Sequence, residues 1–347
     1  MSSPARHDSQ GSRAIPGERF IISHIRSRLP PAPASLIVAA GDDAAVAVPE
    51  RGALQVLTTD ALVEGVHFDR RFSSLADVGY KAIAVNVSDV AAMGGTSSLV
   101  LLSLMLPDGT SIQEIDVLLD GVLEMARIAK VTVAGGNITR SPGALIVDVT
   151  ATGHVRPRRI LRRDGGRPGD ALFVTGSIGG ASAGLEWLTE AFRCGFPLQP
   201  EDGGLATCVQ RHRRPEPRLR IGAVLGRARV ASACMDLSDG LADAVRQIAE
   251  ASGTGARIDA AALPIDAAAH KWFSASGHDP VGAALSGGDD YELLFTLPRK
   301  TARRLRSAEA AARGVPLTHI GELTTEPELV VVRDGQSEPL PSGFTHF

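Results

Sequence analysis

Cysteine is scarce in this chain. Cys194, Cys208 and Cys234 lie too far apart for a C-x-x-C metal or redox motif, which argues against a disulfide framework and fits a reducing compartment with buried thiols. Long hydrophobic runs are missing too. The longest, LVLLSLMLP, falls well short of the ~20 apolar residues that span a bilayer, and the N-terminal stretch has no signal-like apolar centre, so a cytoplasmic protein without a membrane partner is expected. Charge of one sign is also lacking. A formal net charge of -3 gives no basic footprint, and no nucleic-acid partner is expected. Nothing matches G-x-x-x-x-G-K-[ST] or the paired H-R-D and D-F-G of protein kinases, so any ATP site must be of another type.

What remains is an ordinary globular composition, 44% hydrophobic and 22% charged over 347 residues, long enough for two domains. Residues 1–17 are polar and expected to be mobile. Residues 18–155 read as an N-terminal domain: a short helix at 20–29, strands at 44–48 and 54–57, a helix at 75–93, a buried strand at 98–106, an amphipathic helix at 111–130, and strands at 131–134 and 144–152. The Arg-rich segment 156–170 breaks that pattern and opens a C-terminal domain, 156–347. There, strands at 171–175, 230–237 and 291–297 alternate with helices, 192–217 reads as a loop-rich basic connection, and Ser238 or Asp239 stands where a helix cap belongs. Asp266 reads as a surface carboxylate. The alternation implies a layered α/β domain, with parallel or antiparallel pairing left open.

Five places end an apolar element in acidic or amide oxygens: Asp42-Asp43, Thr58-Thr59-Asp60, Asp89, Asn137, and Asp236 with Asp239. An oxygen-rich, histidine-poor set suits Mg²⁺ rather than zinc. So many carboxylates would repel one another without cations, and Mg²⁺ most often bridges polyphosphates in enzymes, so phosphoryl or nucleotide chemistry follows. Arg162 or Arg163 could offer a planar fork to phosphate oxygens. One rival pattern, G-x-S-x-G at 180–184, lacks the strand directly before its serine and reads as small-residue helix packing.

Taken in order, GDDAAV at 41–46, TTDALVEGVHF at 58–68, YKAIAVNVSDVAAMGG at 80–95, GGN at 135–137, RRDGGRPGD at 162–170, MDLSDGL at 235–241, SGGDDYELLFT at 286–296 and the closing GFTHF resemble the thiamine-monophosphate kinases, of the superfamily typified by aminoimidazole ribonucleotide synthetase. That resemblance implies transfer of the ATP γ-phosphate to thiamine monophosphate by direct in-line attack with several Mg²⁺ ions. It implies metal ligands at Asp43, Thr58, Thr59, Asp60, Asp89, Asn137, Asp236 and Asp239, with Asp60, Asp89 and Asp239 central to catalysis. Gly136, Asn137, Arg163 and Ser238 would touch ATP; His67, Asp289 and Phe344 would line the thiamine end. It also implies a two-domain α+β fold, an α+β N-terminal domain beside a C-terminal α/β domain that covers the cleft, and a homodimer in which N-terminal strands of two subunits pair to close a barrel.

Three positions depart from the family pattern: Asn137 stands where Asp is common, Asp289 where Glu is usual and Phe344 where Trp is common. Leu118 and Leu119 stand where some relatives place an aromatic near the adenine, so no adenine-stacking residue is named. Two alternatives accompany the kinase reading. One is a superfamily relative such as selenophosphate synthetase or the hydrogenase maturation dehydratase, whose terminal cysteines this chain does not match. The other is a catalytically inactive homologue that binds nucleotide or thiamine phosphate.

Overall fold

The computed structural model describes residues 17–344. Most of the segment expected to be mobile, and Thr345, His346 and Phe347 of the closing motif, lie outside the described residues. The N-terminal half runs α1 (Glu18–Arg28), β1 (Leu36–Val38), β2 (Val46–Ala47), β3 (Leu54–Val63), α2 (Leu75–Ala92), β4 (Thr96–Pro107), α3 (Ile112–Ala129), β5 (Thr132–Ser141) and β6 (Ile146–Val155). Strands β3, β6, β4 and β5 form, in that order, a four-stranded sheet that is antiparallel except between β4 and β5.

The C-terminal half opens with β7 (Ala171–Thr175), α4 (Gly180–Cys194), α5 (Gly203–Arg213), α6 (Leu219–Arg227), β8 (Cys234–Asp236) and α7 (Leu241–Ser252). It continues with β9 (Gly255–Asp259), α8 (Ala267–Ala275), α9 (Pro280–Ser286), β10 (Leu293–Leu297) and α10 (Leu305–Ala312), and ends with β11 (Leu317–Thr324), β12 (Leu329–Arg333) and β13 (Gln336–Pro339). A seven-stranded sheet, ordered β13-β12-β9-β11-β7-β10-β8, carries this half; only β12 and β9 pair parallel.

Helices α2 and α3 start where serine meets an acid three residues on. Ser74 with Asp77, and Ser111 with Glu114, form reciprocal capping boxes, each cap contributing about 1 kcal/mol. The two helices then touch backbone to backbone. A Cβ on Gly79 would sit 2.0 Å from the Leu118 carbonyl and one on Gly121 1.8 Å from that of Ala76, so only glycine permits the crossing. Helix α2 is buried on nearly every side because its second face meets α6 and β8 of the other half. Tyr291, from the C-terminal half, joins the core beneath the four-stranded sheet. Leu118 and Leu119 belong to that core as well.

Several expectations need correcting. Strand β3 does not stop at Thr58 but runs to Val63, because threonine favours strands and β3 is an edge with Leu54 and Leu57 exposed. Strand β5 likewise runs on through Gly135-Gly136-Asn137. Gly136 lies so close to β4 that a Cβ would fall 1.9 Å from the Leu102 carbonyl. Within 192–217, expected to be loop, lies α5, whose first turn is capped by Asp202. Helix α7 takes Gly240 as its cap residue with no side-chain cap, so neither Ser238 nor Asp239 performs that task. Asp266 caps α8 through the Ala268 and Ala269 amides and is no idle surface acid. Cys194 is exposed, whereas Cys208 and Cys234 are buried. Among the described residues no helix is long and apolar enough to cross a membrane.

Candidate active site

The acidic positions meet where α2 lies between the halves. Asp236 is the last residue of β8, and its Oδ2 accepts a 2.5 Å hydrogen bond from Ser88 Oγ on α2. On the next position of α2, Asp89 Oδ2 accepts from Thr58 Oγ1 of β3 at 2.5 Å. The Asp60 amide donates to Asn86 Oδ1 at 3.1 Å, which fixes β3 on the same helix. Asp60, Asp89, Asp236 and Asp239 thereby come within electrostatic reach of one another.

Their chemistry follows from crowding. Burial against the cleft walls, then the charges of Asp89, Asp239 and Asp148, push the Asp60 carboxyl up to about 7, although the residue keeps an open side. Burial also raises Asp89 and Asp236; the Thr58 hydroxyl and the Arg163 charge pull Asp89 back only in part. Among the described residues no three His, Cys, Asp or Glu side chains close around a single point as a finished metal cage. An oxygen-only set with open positions still fits Mg²⁺, which keeps several waters and takes one or two carboxylates alongside substrate phosphates.

The open face of the four-stranded sheet carries the rest. Side chains alternate along β3, so Thr58 and Asp60 face α2 while Thr59 points the other way and donates to Asp148 Oδ1 at 3.1 Å. Asp148 sits beside Ser103, and Ser103 beside Asn137, in the strand register. With Asp42, Asp43, Gly136 and Thr150 they line a cavity of about 810 Å³. Asp43 and Asn137 thus line one cavity, and the charge of Asp148 on its wall reaches Asp60.

The remaining expected residues ring the carboxylates. Arg163 Nη1 donates to Gln247 Oε1 at 2.5 Å and its charge reaches Asp89, whereas Arg162 turns to Asp164 on the surface. Ser238 Oγ lies 3.3 Å from Asp239 Oδ2. The Phe344 amide donates to the Asp239 carbonyl at 3.1 Å and its ring is half exposed, which brings the chain's last described residue to the cleft. His67 Nδ1 accepts from the Val63 amide, leaving the proton on Nε2. Asp289 lies 2.8 Å from Lys81 Nζ and 3.3 Å from His212 Nδ1. Burial alone would raise this carboxyl, but Lys81 and His212 override it and hold it well below the usual range. By contrast, Ser182 of the G-x-S-x-G pattern sits in the first turn of α4, bonded to the Gly179 carbonyl.

Sequence reasoning passed over Asp148 and Ser88, and it set Lys81 and Asn86 with Asp89 on the polar face of the 75–93 helix without giving them a role. Asp148 was visible as the lone acid in the alternating IVDVTATGHV. Lys81, Ser88 and Asp89 share one face of α2 by their seven- and eight-residue spacing, a signal that periodicity alone carries.

Comparison with known proteins follows this geometry. The model of AIR synthase related protein, N-terminal domain, matches residues 41–155, and that of the C-terminal domain residues 167–334. The thiamine-monophosphate kinase of Bacillus subtilis (strain 168) is 35% identical over 318 residues, covering 90% of this chain and 94% of that protein. That of Escherichia coli (strain K12) is 36% identical over 335 residues, covering 95% and 98%. The chain belongs to the thiamine-monophosphate kinase family. A crystal structure of the thiamine-monophosphate kinase from Stenotrophomonas maltophilia K279a superposes with a TM-score of 0.78 at 33% identity, covering 92% of this chain and 95% of that one. The structure of AaThiL complexed with AMPPCP and TMP does so at 0.75 and 34%, covering 86% and 89%. Hydrogenase maturation protein HypE shares the fold at 21% identity.

Proposed function

We propose that this chain phosphorylates thiamine monophosphate to thiamine diphosphate at the expense of ATP. An oxygen of the substrate phosphate attacks the γ-phosphorus in line, the bond to the β-phosphate bridging oxygen breaks, and ADP leaves. The attacking oxygen is already ionised, so no general base is required and no enzyme nucleophile takes part. The observation that carries the reading, beside family membership, is the meeting of Asp60, Asp89, Asp236 and Asp239 from both halves at one place.

Mg²⁺ ions, when bound, supply the positive charge that lets two polyanions approach. Asp60, Asp89, Asp236 and Asp239 would hold them on one side of β3, with Thr58; Asp43, Thr59, Asn137 and Asp148 would do so on the other. Arg163, Gly136, Asn137 and Ser238 are assigned to ATP, and His67, Asp289 and Phe344 to the thiamine end, where an aromatic face suits the cationic thiazolium. The boundary between domains is placed near residue 156 and the protein in the cytoplasm. A homodimer is part of the same reading: Leu57 and Leu101 are 65% and 41% exposed on the open sheet face, an apolar surface that a second copy's sheet would cover.

The test is direct. Purified protein with Mg²⁺, ATP and thiamine monophosphate is expected to yield ADP and thiamine diphosphate, and EDTA to stop it. Binding of both ligands without turnover would overturn the reading in favour of an inactive binder.

A further inference from the structure

Lys81 is a charged residue where the fold gives charge little welcome. It sits in the middle of α2 with its side chain 3% exposed, and an ammonium so placed persists only when paired and hydrogen-bonded. Its partners lie on opposite halves of the molecule. Nζ meets Asp289 Oδ2 at 2.8 Å, on the segment before β10, and donates to the His67 carbonyl at 3.3 Å, in the loop after β3. Both attachments are to loops rather than to regular structure. Asp289 adopts a left-handed φ of +69°, strained for a residue with a side chain, and its amide donates to the Ser238 carbonyl at 2.7 Å, next to Asp239. The second neighbour of the Asp289 carboxylate, His212, is itself buried.

We infer that Lys81 is a positioning residue, a single ammonium that holds the 64–68 loop of one half and the 286–291 loop of the other at a fixed separation across the acceptor end of the cleft. The acceptor's identity rests on the kinase reading; the tie between the loops does not. One charge thereby sets the distance between His67 and Asp289, and so the width of the space offered to the acceptor.

Hydrogen exchange on Lys81→Met and on the charge-free pair Lys81→Met with Asp289→Asn tests this. In both, amides of 64–68 and 286–291 should exchange at least ~10-fold faster together, while α3 keeps its protection. In the pair no buried charge is stranded, so stability should recover relative to the single variant. Return of both loops to wild-type exchange in the pair would mean the lysine only balances charge, and would overturn the inference. So would loosening of one loop alone, or of neither. In turnover, Lys81→Met should raise KM for thiamine monophosphate about tenfold while KM for ATP stays within about twofold; an equal rise in both would also overturn it. If wild-type protein fails to convert thiamine monophosphate, the kinase reading falls, and the exchange data still decide the role of Lys81.

Discussion

Two groups of acids in this molecule are handled in opposite ways. Around β10, Glu292 is fully buried and satisfied from within: Arg218 holds both its oxygens at 2.6 Å, Arg211 adds a third bond at 3.2 Å, and Thr175 Oγ1 donates at 2.6 Å. Burial works against the charge of Arg218, and Glu292 more than offsets it. Around α2, Asp89 accepts from the Thr58 hydroxyl and Asp236 from that of Ser88, the Arg163 charge reaches Asp89 only from further off, and among the described residues no cation stands at ion-pair distance from Asp60, Asp89 or Asp236. The difference separates a carboxylate that serves the fold from carboxylates kept for something that comes from outside. Counting acids in a sequence cannot make that distinction; counting the cations that reach them can.

Substitutions should split the two groups. The largest effect is expected for Asp60→Asn and Asp239→Asn, each lowering kcat by about a thousandfold, roughly 4 kcal/mol of barrier. Metal-free Asp60→Asn should melt no lower than wild type, since it removes repulsion. Replacement of the exposed Glu201 provides the control. A drop of several degrees in Asp60→Asn would erase the contrast. Arg218→Met should behave in reverse, losing about 3 kcal/mol in urea unfolding by leaving Glu292 only the longer Arg211 contact as a counter-charge, with kcat per folded molecule little changed.

A finer test is pH. The folded-state value of Asp60 is raised, so its contribution to metal-free stability is fully present below its ordinary value near 3.8 and is lost as pH rises through about 7. Mg²⁺ must displace the same proton. Its apparent affinity, by titration calorimetry in buffers of different ionisation enthalpy, should rise up to about pH 7 and then level, with proton release below that point. An affinity flat from pH 5 to 8 would contradict the crowding. The smallest effects are expected on the open sheet face: Asn137→Asp should lower the Mg²⁺ requirement about threefold and Asp148→Asn raise it by a similar factor.

Much of the fold was legible where chemistry is local. Ser74 and Ser111 mark their helices because a hydroxyl and an acid three residues apart bond the same first turn. Helix α5 escaped because its arginines looked like solvated charge; Arg211 instead turns inward to Glu292. Strand ends were misplaced at Thr58 and Gly135, where polarity and glycine read as turns although the pleat continued. At the site, the acids themselves could be named from the sequence. Their partners could not, since helical period gives the face on which Ser88 lies but not that Asp236, 148 residues on, will occupy it. Asp148 shows the opposite failure, a visible acid left unweighed because it lay inside a strand.

Ten consecutive residues of β3 face ten of β6 without a bulge. Because side chains alternate, that ladder works as a ruler: one residue inserted between Leu54 and Thr58 would turn Asp60 to the opposite surface and bring Thr59 round to the helix. This stretch should therefore tolerate exchange of one residue for another far better than any change in its length.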